Sequence, residues 1–247
     1  MKKPVLIVKV GTSTLLGTHE QPSATFDYVA ESIVKLRETY SVVLVTSGAI
    51  GFGVRRTGLL ARATEVDHLQ ALCMIGQVGL LRRWREAFEG ITVGQVLVTR
   101  QDLEHAVTAG LFCESIHAVW DYAALPIVNE NDAVSTEEIS FGDNDRLAAE
   151  VAAALGAEKL VILTDQEGIL EAFGTPQQRR LETVAVDAVD GHIHPSRSAF
   201  GKGGASSKVE AARVALTAGV EVFVAHAATP HSVEDVLSGK NGTKIIQ

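Results

Sequence analysis

A lysine that stands beside a glycine-containing turn is the first residue in this chain that could do chemistry. Lys9 ends an apolar run and lies two residues before Gly11. A buried ammonium is costly unless an anion meets it, and a transferring phosphoryl group would supply that anion. The alternative is a lysine whose head reaches solvent along the protein surface. The pattern favours a phosphate contact at Lys9.

A second group of lysines surrounds a glycine pair later in the chain. Residues 201–208 read Gly-Lys-Gly-Gly-Ala-Ser-Ser-Lys and open a stretch with helical periodicity. Glycines let backbone amides approach a ligand, and a helix start presents unsatisfied N–H groups to an anion. A serine-capped turn is the alternative. No GxxxxGK[ST] motif occurs and no GxGxxG motif follows an apolar run, so a phosphate site here would belong to neither common nucleotide-binding class.

Carboxylates and amides gather in two further segments. Residues 129–132 read Asn-Glu-Asn-Asp, and residues 141–145 read Phe-Gly-Asp-Asn-Asp. Asp145 could cap the helix that follows, but capping accounts for only one of the acids. The whole set could hold the ammonium of an amino acid or help arrange metal-bound phosphates. A solvated acidic turn is the remaining alternative.

Short β-branched runs must position these residues. They are continuously apolar, as strands covered on both faces of a parallel sheet are. Alternation of such strands with helical patterns predicts an α/β fold, an αβα sandwich with a mostly parallel sheet. The predicted strands cover residues 5–10, 42–46, 93–99, 126–129, 160–164, 221–225 and 244–246, and clear helical patterns cover 26–39, 66–88, 145–155 and 206–218.

Ligands of such sheets bind beyond the carboxyl ends of the strands. Four predicted strand ends carry polar or glycine-containing segments, at residues 9–13, 46–49, 129–132 and 164–165. One such segment would be an ordinary turn, whereas four at one edge indicate an active site. Segment 171–202 has no clear period, so we expect a long, partly mobile excursion within a single domain of residues 1–247.

Composition excludes several classes of protein. The chain has 247 residues, 46% hydrophobic and 21% charged, which is typical of a globular protein. Its 22 basic and 30 acidic residues give a net charge of -8, which disfavours a general nucleic-acid binder. No apolar run is long enough for a membrane span or a signal peptide, so we expect a cytoplasmic protein with no membrane partner. Cys73 and Cys113 have no metal-ligand spacing, so we expect buried, reduced thiols and no metal held by the protein.

Taken together, these motifs resemble the amino-acid kinase family. The matching segments occur in family order and span nearly the whole chain. Ser-Gly-Ala-Ile at 47–50, with Asn-Glu-Asn-Asp and Gly-Asp-Asn-Asp, is specific to the branch that phosphorylates glutamate. The matching segments are residues 8–13, 45–50, 75–77, 95–100, 126–132, 141–145, 163–165, 203–208 and 242–243.

The resemblance implies the amino-acid kinase fold and transfer of the γ-phosphoryl group of Mg-ATP to the γ-carboxylate of L-glutamate. The product would be glutamyl 5-phosphate, in the first step of proline biosynthesis. The N-terminal part would mainly bind the acceptor and the part from about residue 150 mainly the nucleotide, in a homo-oligomer of two or four subunits.

The resemblance also implies roles at matching positions. The phosphoryl group would be neutralised by Lys9 and Lys208. Glutamate would be held by Ser47, the amides of Gly48 and Ala49, Asp132, Asn144 and Asp145. ATP would be held by Lys9, Gly11, Thr164, Asp165, Lys202, Gly203, Gly204, Ala205, Ser206, Ser207 and Lys208.

The chain departs from the family in three segments, which leaves nucleotide and subunit contacts open. Lys202 replaces a threonine, residues 168–173 lack an Asp-Pro-Arg, and residues 113–116 replace an Asn-Ala-Arg stretch. We also expect the C-terminal PUA domain of many bacterial relatives to be missing. Two alternatives stay open: a kinase of another acidic acceptor, such as aspartate or a conjugated glutamate, and a weakly active sensor of nucleotide or amino acid.

Overall fold

Apolar β-branched runs form a central sheet in the computed structural model, which describes residues 2–17, 24–59, 63–135, 144–189 and 205–247. The strands are Val5–Val10 (β1), Ser41–Thr46 (β2), Val93–Val98 (β3), Leu125–Glu130 (β4), Lys159–Thr164 (β5), Leu170–Glu171 (β6), Arg179–Arg180 (β7), Thr183–Ala185 (β8), Glu221–His226 (β9) and Thr243–Ile246 (β10). The helices are Thr12–Leu16 (α1), Thr25–Leu36 (α2), Ala49–Thr57 (α3), Val66–Ala87 (α4), Arg100–Glu104 (α5), Ala106–Asp121 (α6), Asp145–Ala154 (α7), Val186–Val189 (α8), Ala205–Thr217 (α9) and Ser232–Leu237 (α10).

The sheet has eight strands in the order β3-β4-β2-β1-β5-β9-β10-β8. The six strands from β3 to β9 in this order run parallel, whereas β10 is antiparallel to β9 and parallel to β8. All seven predicted strands and the mostly parallel sheet are therefore confirmed. The carboxyl ends of the adjacent strands β4, β2, β1 and β5 lie at one edge, and these are the four predicted ligand-binding strand ends.

Helices cover both faces of the sheet, because successive residues of the strands point to opposite sides. Leu6 and Val8 of β1 join a core with α2, α4 and α10, in which Trp84 is fully buried. Ile7, on the other face, joins a core with α6, α7 and α9. The predicted αβα sandwich is confirmed.

Segment 171–202 is partly regular, so the prediction of an irregular excursion is wrong for part of it. Strands β6 and β7 form an antiparallel hairpin, and β8 joins the central sheet through β10. These strands have two or three residues each, too few to show a period in the sequence. Residues 190–204 lie outside the described ranges.

Among the residues that are described, no helix is long and apolar enough to span a membrane.

Candidate active site

Three charged side chains meet at the end of β1. Lys9 is 3% exposed and forms an ion pair with Asp145. Asp145 is the first residue of α7, and its side chain is fully buried. Lys208, near the start of α9, approaches the other carboxylate oxygen of Asp145, with Nζ 2.9 Å from Oδ2. One carboxylate therefore lies between two ammonium groups that come from separate segments of the chain.

This arrangement rules out one alternative at each of the two charged positions. The possibility that the Lys9 head reaches solvent is wrong, because the residue is buried. The possibility that Asp145 caps its helix is also wrong, since Asn144 is the N-cap and no side-chain cap bond forms. Two ammonium groups around one carboxylate leave one positive charge in excess within the trio. A phosphoryl anion is the kind of group that such an excess of positive charge would stabilise.

A buried amide network lies beside the trio. The amide nitrogen of Asn144 donates to the carbonyl oxygen of Thr46 and to Oδ1 of Asn129, both at 2.7 Å. Asn129 in turn donates to Oε1 of Gln77 on α4 at 2.8 Å. The Trp84 indole donates to the Thr46 hydroxyl at 2.9 Å. These bonds fix Asn144, Asn129 and the end of β2 relative to one another.

Two buried oxygens of this region lack a hydrogen-bond partner within the described parts of the chain. They are the hydroxyl oxygen of Ser47 and Oδ1 of Asn144. Buried polar atoms are rarely left without partners, so a bound molecule is expected to supply them. A hydroxyl and an amide carbonyl together suit a ligand that carries both acceptor and donor groups, as an amino acid does.

Helix α3 begins directly after Ser47, with Gly48 as its N-cap. Gly48 has φ +108°, in the left-handed region that favours glycine, and Ala49 opens the helix. The start of α3 is tightly held by α4, because a Cβ added at Gly76 would lie 1.9 Å from the carbonyl oxygen of Ala49. The amides at this helix start, which have no partner within the helix itself, are thereby fixed at the site edge.

Asp132, from the loop after β4, is buried and accepts a hydrogen bond from the thiol of Cys73, with Sγ 3.1 Å from Oδ2. Both cysteines are free thiols, as expected. The expectation that both are buried is wrong for Cys113, which is only partly covered and donates to the carbonyl oxygen of Ala154. Burial nevertheless raises the pKa of the Cys113 thiol.

The predicted nucleotide contacts are only partly described. Thr164 ends β5, and its hydroxyl donates to Asp165 at 3.1 Å. Gly11 is the N-cap of α1, and a Cβ there would meet Lys9 Nζ at an ordinary 3.7 Å. Lys202, Gly203 and Gly204 lie outside the described residues, whereas Ala205, Ser206, Ser207 and Lys208 belong to the first turn of α9.

Cys73 and Gln77 were missed as site residues by sequence reasoning. Both project from α4, one turn apart, Gln77 toward Asn129 in β4 and Cys73 toward Asp132 in the loop after it. A spacing of four residues on an otherwise apolar helix face was the available signal. In the described ranges, no group of three or more His, Cys, Asp or Glu side chains could hold a metal ion.

Comparison with known proteins agrees with this geometry. The profile of the "Amino acid kinase family" matches residues 4–226. The chain is 40% identical over 245 residues to a "Glutamate 5-kinase" of Gloeobacter violaceus and 35% identical over 242 residues to one of Acinetobacter baumannii, covering 95% of this chain in each case. It spans 66% and 64% of those two proteins, which is less than two thirds of their length.

Solved structures share the fold. A carbamate kinase from Giardia lamblia bound to AMP-PNP superposes with a TM-score of 0.67 at 19% identity, covering 99% of this chain and 98% of that one. A UMP kinase from Ureaplasma parvum gives a TM-score of 0.66 at 14% identity, with both chains covered completely.

Proposed function

Because the chain belongs to the amino acid kinase family, we propose that it is an ATP-dependent kinase that phosphorylates the γ-carboxylate of L-glutamate. The observation that carries this proposal is the trio of buried Lys9, buried Asp145 and half-buried Lys208 beside the unsatisfied oxygens of Ser47 and Asn144. The trio suits a phosphoryl group, and the neighbouring oxygens suit an amino acid. The products are ADP and glutamyl 5-phosphate, the first intermediate of proline biosynthesis.

The reaction is an in-line transfer that needs no covalent protein intermediate. A γ-carboxylate oxygen attacks the γ-phosphorus of ATP, and the bond from that phosphorus to the β–γ bridging oxygen breaks as ADP leaves. Lys9 and Lys208 neutralise the negative charge on the transferring group. Asp145 holds the two ammonium groups in place, in addition to the glutamate contact that its family position implies.

The acceptor lies against the ends of β2 and β4. Ser47 and the amides of Gly48 and Ala49 donate to it, because they stand at the fixed start of α3. Asn144 Oδ1 accepts a hydrogen bond from it, and the Asp132 carboxylate pairs with its ammonium group. These contacts position the γ-carboxylate in front of the phosphoryl group.

The nucleotide lies beyond β5. Thr164, Asp165 and Gly11 contact it, together with the lysine-glycine segment 202–208. Mg²⁺ would be bound mainly through the ATP phosphates, whose charge it would neutralise, because the Asp145 carboxylate is already engaged by Lys9 and Lys208. Lys202→Thr should weaken Mg-ATP binding at low salt and have less effect at high salt, as isothermal titration can measure.

A homo-oligomer is proposed on the exposed face of α4. Met74 and Val78 are 55% and 75% exposed, and Ile75 lies between them. Asp67 and Arg82 flank this apolar stretch at opposite ends, so an antiparallel second copy of α4 brings opposite charges together. Sedimentation equilibrium tests the proposal: Val78→Glu should lower the mass in solution, and an unchanged mass would reject this face.

The proposed reaction takes place in the cytoplasm.

Trapping the acyl phosphate with hydroxylamine tests the function. With Mg-ATP, the purified chain should form a hydroxamate from L-glutamate and far less from L-aspartate or a glutamate whose amino group is conjugated. A preference for one of those two would support the other acidic acceptor. Binding of ATP and glutamate without hydroxamate would indicate a sensor and reject the kinase.

A further inference from the structure

Helix α4 contacts the end of β4 and the loop that follows it through two buried polar side chains. Gln77 accepts a hydrogen bond from Asn129, and Cys73, one turn earlier, donates one to Asp132. Cys73 is 5% exposed and otherwise belongs to the apolar core around Trp84. A buried carboxylate needs donors to hold it, and the thiol is placed to be one of them.

We propose that Cys73 is a positioning residue that fixes the orientation of the Asp132 carboxylate for the acceptor. This inference rests on the proposed function, in which Asp132 pairs with the acceptor ammonium. Because a thiol is a weak donor, it orients the carboxylate while leaving its negative charge available to that ammonium. Cys73 itself contacts no substrate, so its effect is confined to acceptor binding.

The thiol has a second consequence, in its chemical reactivity. An alkylating reagent must reach the sulfur, and the Cys73 thiol is 5% exposed and engaged with Asp132. Cys73 should therefore react with iodoacetamide more slowly than the partly covered Cys113. Bound acceptor should slow alkylation of Cys73 further and leave Cys113 unchanged.

Two variants separate hydrogen bonding from packing. Cys73→Ser keeps a donor, whereas Cys73→Val fills the space without one. Cys73→Val should raise the acceptor KM about three- to tenfold, with the ATP KM and kcat within about twofold, and Cys73→Ser should stay near the parent value. Cys73→Ala replaces the valine variant if circular dichroism shows that the latter does not fold.

The outcomes distinguish this inference from the proposed function. Equal acceptor KM values in the serine and valine variants, with hydroxamate still formed, would overturn the role of Cys73 alone. Parallel increases in the KM values of acceptor and ATP would reveal a packing role and overturn it as well. Failure of the parent chain to form hydroxamate from any acceptor would overturn the proposed function, and this inference with it.

Discussion

Replacing Lys9 by methionine removes one of the two ammonium groups proposed to act on the phosphoryl group. Methionine keeps most of the buried aliphatic length, so the loss is mainly one of charge. A unit charge about 4 Å away contributes about 4 kcal/mol at an effective dielectric constant near 20, and loss of one such preorganised group lowers kcat by about 10² to 10³. We expect Lys9→Met to lower kcat in that range while Mg-ATP binding changes much less.

The structure also predicts the effect on stability. Asp145 keeps Lys208 at 2.9 Å after this change, so its carboxylate is not left without a cation. The loss of unfolding free energy should be about 1.5 to 3 kcal/mol, the value of a charged hydrogen bond. Asp145→Asn should cost more, about 3 to 5 kcal/mol, because it leaves the buried Lys9 and the half-buried Lys208 without their shared carboxylate.

The assay is ADP release at saturating L-glutamate and Mg-ATP, with urea unfolding measured in parallel. Lys159→Met is the matched control. Lys159 begins β5, at the end of the strand away from the proposed active site, and pairs with Glu221. That control should keep the parent kcat. A Lys9→Met kcat within threefold of the parent, or ATP binding reduced as strongly as kcat, would refute the proposed role of Lys9 in the transition state.

Further predictions concern acceptor binding, packing and pH. Asp132→Asn should raise the glutamate KM about 10- to 100-fold with little change in the ATP KM, because a charge-assisted bond is lost on one substrate only; equal rises would contradict it. Gly76→Ala should lower the unfolding free energy by at least about 1 to 3 kcal/mol in urea, since its Cβ would press on the Ala49 carbonyl, whereas Gly110→Ala meets no atom within 4 Å and should not. Burial raises the pKa of Glu150, so folding favours its protonated form and its contribution to stability falls as pH rises above 4.5. Urea titrations should show that fall in the parent and not in Glu150→Gln; identical pH profiles would contradict the burial of this carboxylate.

The parallel sheet could be predicted because its strands are continuously apolar and several residues long. The same logic placed Lys9, Ser47, Asp132 and Thr164 at one edge, since the carboxyl ends of parallel strands lie together. The short strands β6, β7 and β8 could not be predicted, because two or three residues carry no period.

The partners of the site residues were beyond the reach of the sequence. Asp145 reads as a helix cap when only its neighbours are known, and its pairing with Lys9 and Lys208 requires three distant segments to pack together. Cys73 likewise reads as a buried apolar residue. Its bond to Asp132 exists because α4 passes the end of β4, and that packing is not encoded in local periodicity.

The transfer of a γ-phosphoryl group to the γ-carboxylate of glutamate is tested most directly with isotopes. L-glutamate carrying ¹⁸O in its γ-carboxylate is incubated with the chain, Mg-ATP and hydroxylamine, and the inorganic phosphate released is examined by ³¹P NMR. Attack of a carboxylate oxygen on phosphorus, followed by hydroxylamine attack on the acyl carbon, predicts one ¹⁸O atom in each phosphate formed from glutamate. Phosphate without ¹⁸O, released at the same rate with or without glutamate, would contradict the account.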